Sequence, residues 1–496
     1  MKKFFMASLV PLCGAIAMGA CSDDPTAEPP NETPEAGAPD ATDATTAETG
    51  TEPEDALPKS GSCLSARYVT TSDGLKVWTG IFDTKLDAVC LPTKKYDDAL
   101  RCAPLVFHST TEVSYSDTGC TKPVVDEVKQ SPGQCDVPRW VDVQVSPGAA
   151  CEESRFALFK IATAKKDFAQ VYTKAPDGKC NPSGGSGSYS ELEAIPGTEL
   201  VKLTEAIDPI TGQIGAHVLA GDDGSRFAAG DLVDIARGNA RCRIATTNEN
   251  KPRCVPTGGP VPIGYSENGC TTEVAGYVPC TTTDEPNKKY VTRITAKDCT
   301  AITSVSELGA VRANKDIYTG EPVQCSGPYQ NPTDVFDIGP EVSPALFPEL
   351  TPAERGGTRI VAGAYRSADK IVQVDEGTYT DKQPGAGNGK CYFDLAADGK
   401  LRCIPSSGNV LYSDALCQTM AVAGYASDCA APKTARLQSL TCPLTNKIYA
   451  VGAPIAATKG YFKTTNDCLE IDVKNLYTLG AEIPPETFAE GMYVPK

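Results

Sequence analysis

Three carboxylates, Asp117, Glu267 and Asp414, stand at the same place in a frame that this chain repeats, Tyr-Ser-Asp/Glu-x-x-Cys. Acids displayed at equivalent positions offer oxygen ligands to calcium or to a cationic ligand. They also suit a structural task, accepting hydrogen bonds in the turn before the cysteine or pairing with Arg101, Arg253 and Arg402 of the neighbouring Arg-Cys-x-Pro motif. Recurrence in every unit is what a packing requirement produces, so the structural reading is adopted. Other reactive types are scarce. The chain has only two histidines, His108 and His217, and no Gly-x-Ser-x-Gly elbow to raise a serine nucleophile. SGGSGS at 183–188 lacks the following Gly-Lys-Ser/Thr of a phosphate cradle.

Cysteines position the frame. RCAP (101–104), RCVP (253–256) and RCIP (402–405) each follow a cysteine by eleven enclosed residues, and the frame advances 152 and then 149 residues. Eighteen of the 21 cysteines fall into three sets of six, which reads as a disulfide framework formed in an oxidising compartment. Tight Cys-x2–4-Cys or His spacing is absent, so no metal and no other cofactor is expected. Consecutive pairing is expected, because each interval looks like two strands and a turn: Cys90–Cys102, Cys120–Cys135, Cys151–Cys180, Cys242–Cys254, Cys270–Cys280, Cys299–Cys325, Cys391–Cys403, Cys417–Cys429 and Cys442–Cys468. Cys63 has no counterpart in the other copies and is left unpaired.

Alternating apolar residues, β-branched and Tyr residues and closely spaced turn signals predict all-β structure, with seven or eight strands per copy. The repeats run over 62–209, 210–356 and 357–496. Two architectures fit. One is a six-bladed β-propeller with two four-stranded sheets from each copy; the other is three consecutive small β-domains.

Ahead of the repeats, residues 1–20 read as a secretory signal, with Lys2 and Lys3 before an apolar run. Met18-Gly19-Ala20-Cys21 resembles the lipobox of bacterial lipoproteins, which implies lipidation of Cys21 and anchoring to the membrane through that lipid. Ser22 in place of Asp favours an outer-membrane address by the same resemblance. Residues 21–61 hold eleven acids against Lys59 and almost no large apolar residue, the composition of a disordered tether. A formal net charge of −17 argues against nucleic acid as a partner.

Together, the lipobox, acidic tether and RC-x-P/YSD-x-x-C repeats resemble cysteine-rich repeat lipoproteins of myxobacterial-type Gram-negative bacteria. The resemblance implies a repeat scaffold and supplies no catalytic residue. A non-enzymatic envelope lipoprotein that binds a protein or glycan is the first expectation. A carbohydrate- or peptide-processing hydrolase and a purely structural envelope protein are the alternatives. Function should lie where the copies disagree, at Cys63, Trp78, His108 and Trp140, which copy 1 alone carries, and in the loops between the third and fifth cysteines.

Overall fold

The computed structural model describes residues 58–494 except 107–108, 111–112, 127–137, 147–153, 176, 184–185, 278–288, 298–299, 332, 369, 384–388, 424–431, 440–441, 458, 464–466 and 474. The fold is all-β, in three disulfide-stapled copies, with helical structure limited among these residues to four 3-10 turns. The 37 strands among the described residues exceed the seven or eight per copy that the turn spacing predicts, because several are only two to five residues long.

Each copy carries two sheets of unequal size. The inner sheets have five strands each, and the outer sheets have eight, seven and seven, where the propeller reading expects four-stranded blades. In copy 2 the inner order is Leu203–Pro209, Ile214–Gly221, Arg226–Asp234, Ala240–Thr246, Pro252–Pro256, all antiparallel. Its first strand comes from the end of copy 1. Copy 3 likewise receives Thr351–Gly356 from copy 2, and copy 1 receives the C-terminal strand Gly491–Val494, which pairs with Leu64–Thr71. The exchange closes a ring.

Apolar contacts follow the same cycle. Leu64 packs with Leu203, Leu219 and Phe227 between copies 1 and 2. Ile214 and Leu232 pack with Leu350 and Val372 between copies 2 and 3, and Ile360 and Tyr379 pack with Leu75 and Val77 between copies 3 and 1. Leu64, Ile214 and Ile360 are the matching residues of the three copies, and all are fully buried. Two aspartates, each followed by glycine, close the joints. Asp223 accepts from the backbone N–H groups of Cys63 (3.0 Å) and Leu64 (2.7 Å), and Asp73 from those of Arg359 (2.6 Å) and Ile360 (2.8 Å). The third member of the set, Asp369, lies outside the described residues.

Outer sheets pack on the inner sheet of their own copy. Ala103 meets Trp140, Leu158 and Leu200 in copy 1; Val255 meets Val305 and Phe347 in copy 2; Ile404 meets Ile448 and Phe488 in copy 3. Leu200, Phe347 and Phe488 end the 3-10 turns near the end of each copy, and their carbonyls accept from Arg101 (3.0 Å), Arg253 (2.8 Å) and Arg402 (2.8 Å). The repeated arginine therefore clamps the end of each copy onto its inner hairpin.

The disulfide order departs from consecutive pairing. Bridges Cys90–Cys102, Cys242–Cys254 and Cys391–Cys403 staple the inner hairpins. The third cysteine bonds the sixth, in Cys120–Cys180, Cys270–Cys325 and Cys417–Cys468, and not Cys135, Cys280 or Cys429; Cys180, Cys325 and Cys468 are accordingly not joined to Cys151, Cys299 and Cys442. Strand pairing is the cause. Tyr115, Tyr265 and Tyr412 of the Tyr-Ser-Asp/Glu frame sit across from Tyr172, Tyr318 and Tyr461, which brings the cysteine after each to Cα separations of 5.7, 5.7 and 5.9 Å. Such proximity of distant segments is invisible to a reading of local hairpins. Cys442 is disulfide-bonded, and Cys135, Cys151, Cys280, Cys299 and Cys429 lie outside the described residues.

Candidate functional site

The three repeated acids act in turns. Asp117 accepts from the N–H groups of Thr121 (2.9 Å) and Lys122 (2.7 Å) and the Thr121 hydroxyl (2.8 Å). Glu267 does the same for Thr271 and Thr272, and Asp414 for Gln418 and Thr419. These bonds hold the following cysteines, Cys120, Cys270 and Cys417, at φ of +49°, +49° and +50°, a left-handed conformation that an L-residue adopts only under constraint. Hydrogen bonds from the Ser266 and Thr271 hydroxyls pull the Glu267 carboxyl down to about 2. Pairing with the motif arginines is not what the structure contains: Arg101, Arg253 and Arg402 bond Asp97, Glu249 and Asp398, four residues before each.

Copy 1 departs from the threefold pattern beside its Arg-Cys-x-Pro motif. There an open groove of about 540 Å³ is lined by Leu91, Pro92, Lys95, Pro104, Val106 and Phe156, with Thr93 and Ser154 adding hydroxyls. Leu91 is 51% exposed on its paired strand and adds apolar surface to the groove. Two positions of the repeat differ there. Between the Cys and Pro, copy 1 has Ala103 where copies 2 and 3 have Val255 and Ile404, and on the partner strand it has Leu91 where copy 3 has Tyr392. In copy 3, Arg436 donates to the Tyr392 hydroxyl, lies 5.5 Å from the ring centroid and pairs with Asp394 at 3.6 Å.

The residue matching Arg436 in copy 1 is Asp142, by its pairing with Leu158 as Arg436 pairs with Ile448. Asp142 is fully buried and turns to a different pair, bonding the Lys95 ammonium and accepting from the Tyr96 hydroxyl at 2.6 Å. Burial, reinforced by the Asp142 carboxylate, pushes the Tyr96 hydroxyl well above the usual phenol range, so it remains a donor. Lys95 is thereby fixed in the groove, 5.4 Å from the Phe156 and Tyr96 ring centroids. The result is an apolar trough with one held cation and two hydroxyls, chemistry suited to binding.

The copy-1 residues named from the sequence divide. Trp140 is buried in the cluster with Ala103, and Trp78 stacks on Phe227 at 6.3 Å in the joint between copies 1 and 2; both are packing groups. Cys63 packs against the same joint, and His108 and Cys21 lie outside the described residues. Lys95, Tyr96 and Asp142 are single polar residues that belong to no motif in the sequence. Their signal was the small residue at the variable position of the Arg-Cys-x-Pro frame.

A family model described as a family of unknown function (DUF7481) matches residues 43–153, which include Trp78, Trp140 and the groove residues from Leu91 to Val106, and stop short of Ser154 and Phe156. No curated protein and no solved structure matches the chain.

Proposed function

We propose that the protein is a lipid-anchored lipoprotein of the cell envelope whose β-ring presents the copy-1 groove to a protein or glycan ligand. The observation that carries the groove is the break in threefold symmetry. Scaffold residues recur in all copies, whereas the copy-1 trough with its fixed lysine is built on residues the other copies do not share, Leu91 and Ala103 among them. The six described disulfides mark a chain that folds outside the reducing cytoplasm, and among the described residues no helix is long and apolar enough to cross a membrane. Cys21 at the end of the apolar leader, and the resemblance to cysteine-rich repeat lipoproteins of myxobacterial-type Gram-negatives, support the lipid anchor, and Ser22 supports the outer membrane.

Two experiments test this. Metabolic labelling with a palmitate analogue should mark the wild type and not Cys21→Ala; label surviving the substitution removes the anchor. Glycan-array and pull-down binding should be lost on Leu91→Lys or Phe156→Lys at unchanged melting temperature, and binding indifferent to both removes the groove.

A further inference from the structure

Each outer sheet ends on a hairpin beside the sixth cysteine, and its last strand is Cys180–Pro182 in copy 1, Ser326–Gln330 in copy 2 and Cys468–Asp472 in copy 3. A terminal strand turns a row of backbone N–H and C=O groups outward, and natural sheets blunt such edges with proline or brevity. Copy 1 does both, with Pro182 in a three-residue strand, and copy 2 sets Pro328 in the middle of its own. Copy 3 does neither. Its strand reads Cys-Leu-Glu-Ile-Asp, pairs residue by residue with Lys459–Lys463 without a register shift, and among the described residues pairs with no other strand.

Its two faces differ. Leu469, Ile471 and Phe462 share one face and are 51%, 39% and 41% exposed. The other face carries Glu470 and Asp472, which both pair with Lys459 of the neighbouring strand, where Lys463 stands across from Cys468; the Asp472 side chain is 91% exposed.

We propose that Cys468–Asp472 is a strand-addition site for an extended segment of another protein whose residues alternate between apolar and Lys/Arg. Main-chain hydrogen bonds supply the pairing, the apolar residues cover Leu469 and Ile471, and the cations meet Glu470 and Asp472. A second copy of this chain is the wrong occupant, since antiparallel pairing of two such strands sets carboxylate against carboxylate. The site is separate from the copy-1 groove, and neither reading depends on the other.

Fluorescence anisotropy of two labelled peptides with the purified full chain tests it, one peptide alternating Val with Lys and one alternating Val with Glu. The basic peptide should bind, and the acidic one about tenfold more weakly, given cross-strand charge pairing. Glu470→Lys with Asp472→Lys should invert that order, and Ile471→Pro should abolish binding. The charge reversals lie on exposed side chains, so they keep the test open if the proline variant unfolds the hairpin. Equal binding of both peptides, binding of neither, a preference unmoved by charge reversal, or a dimer of the chain dissolved by Ile471→Pro would each overturn the proposal.

Discussion

Ala103 and Trp140 lie in one buried cluster of copy 1, and their sizes compensate. The pairing of Trp140 with Lys160, Tyr290 with Glu307 and Thr434 with Ala450 makes Trp140, Tyr290 and Thr434 the matching residues of the outer sheets. At the variable position of Arg-Cys-x-Pro the inner hairpins carry Ala103, Val255 and Ile404. As the inner residue grows from Ala to Val to Ile, the outer one shrinks from Trp to Tyr to Thr. A close-packed interior demands this exchange of volume.

Breaking the exchange on one side should be destabilising. Ala103→Ile against an unchanged Trp140 should lower stability by about 1–3 kcal/mol through overpacking. Trp140→Thr alone should cost about 3–5 kcal/mol through the cavity it leaves. The double variant, which imitates copy 3, should lose clearly less than the sum. Denaturant unfolding of all four proteins measures the coupling, and additivity within about 0.5 kcal/mol would reject the compensation.

The joints of the ring should be acid-sensitive. At Asp223, desolvation works to raise the carboxyl, but hydrogen bonds from the Ser225 hydroxyl and the Leu64 and Cys63 N–H groups outweigh it and leave it below the ordinary range; Asp73 behaves alike through Thr71, Ile360 and Arg359. A carboxyl depressed on folding contributes stability that is complete above its unfolded value of about 3.9 and is lost as pH falls through the lower folded value. Asp223→Asn should therefore be less stable than wild type at neutral pH, and the difference should shrink below about pH 4. A difference constant from neutral to strongly acidic pH would mean the joint does not depend on the ionised form.

The bridge between the third and sixth cysteines should outweigh the inner staple. Cys417–Cys468 spans 51 residues and Cys391–Cys403 spans 12. In the chain-entropy model these close loops worth about 4 and about 3 kcal/mol. Replacing both cysteines of each pair by Ala in separate proteins, and comparing unfolding midpoints, checks the order.

The sequence displays what is local and repeated. The Arg-Cys-x-Pro and Tyr-Ser-Asp/Glu motifs and the all-β class are legible because each rests on residue type at fixed spacing. What stayed hidden is relational. The third-to-sixth disulfides depend on Tyr115 meeting Tyr172 from 57 positions away, and the partners of Arg101, Arg253 and Arg402 lie four residues upstream in a turn, not in the acidic frame downstream. The groove lies where copy 1 carries Leu91 and Ala103 at variable positions of the repeat, residues that advertise nothing until the copies are laid side by side. Trp78 and Trp140 drew attention as unshared aromatics, yet rings of that size are what joints between sheets bury.

Ring closure by the C-terminal strand makes a last prediction. Gly491–Val494 pairs with Leu64–Thr71 from Tyr68 to Thr71, and Tyr493 places its ring 3.7 Å from the Arg67 guanidinium carbon. Ala489 lies in the cluster joining copies 3 and 1, so the strand enters already anchored to copy 3. Ending the chain at Glu490 should therefore expose one edge of the copy-1 inner sheet while leaving the equivalent edges of copies 2 and 3 covered by Leu203–Pro209 and Thr351–Gly356. Hydrogen exchange should accelerate along Leu64–Thr71 and at the copy 3–copy 1 joint, with the matching strands Ile214–Gly221 and Ile360–Ser367 less affected. Uniform acceleration in all three would mean that the ring opens as one cooperative unit, and no acceleration would remove the closing role of the strand.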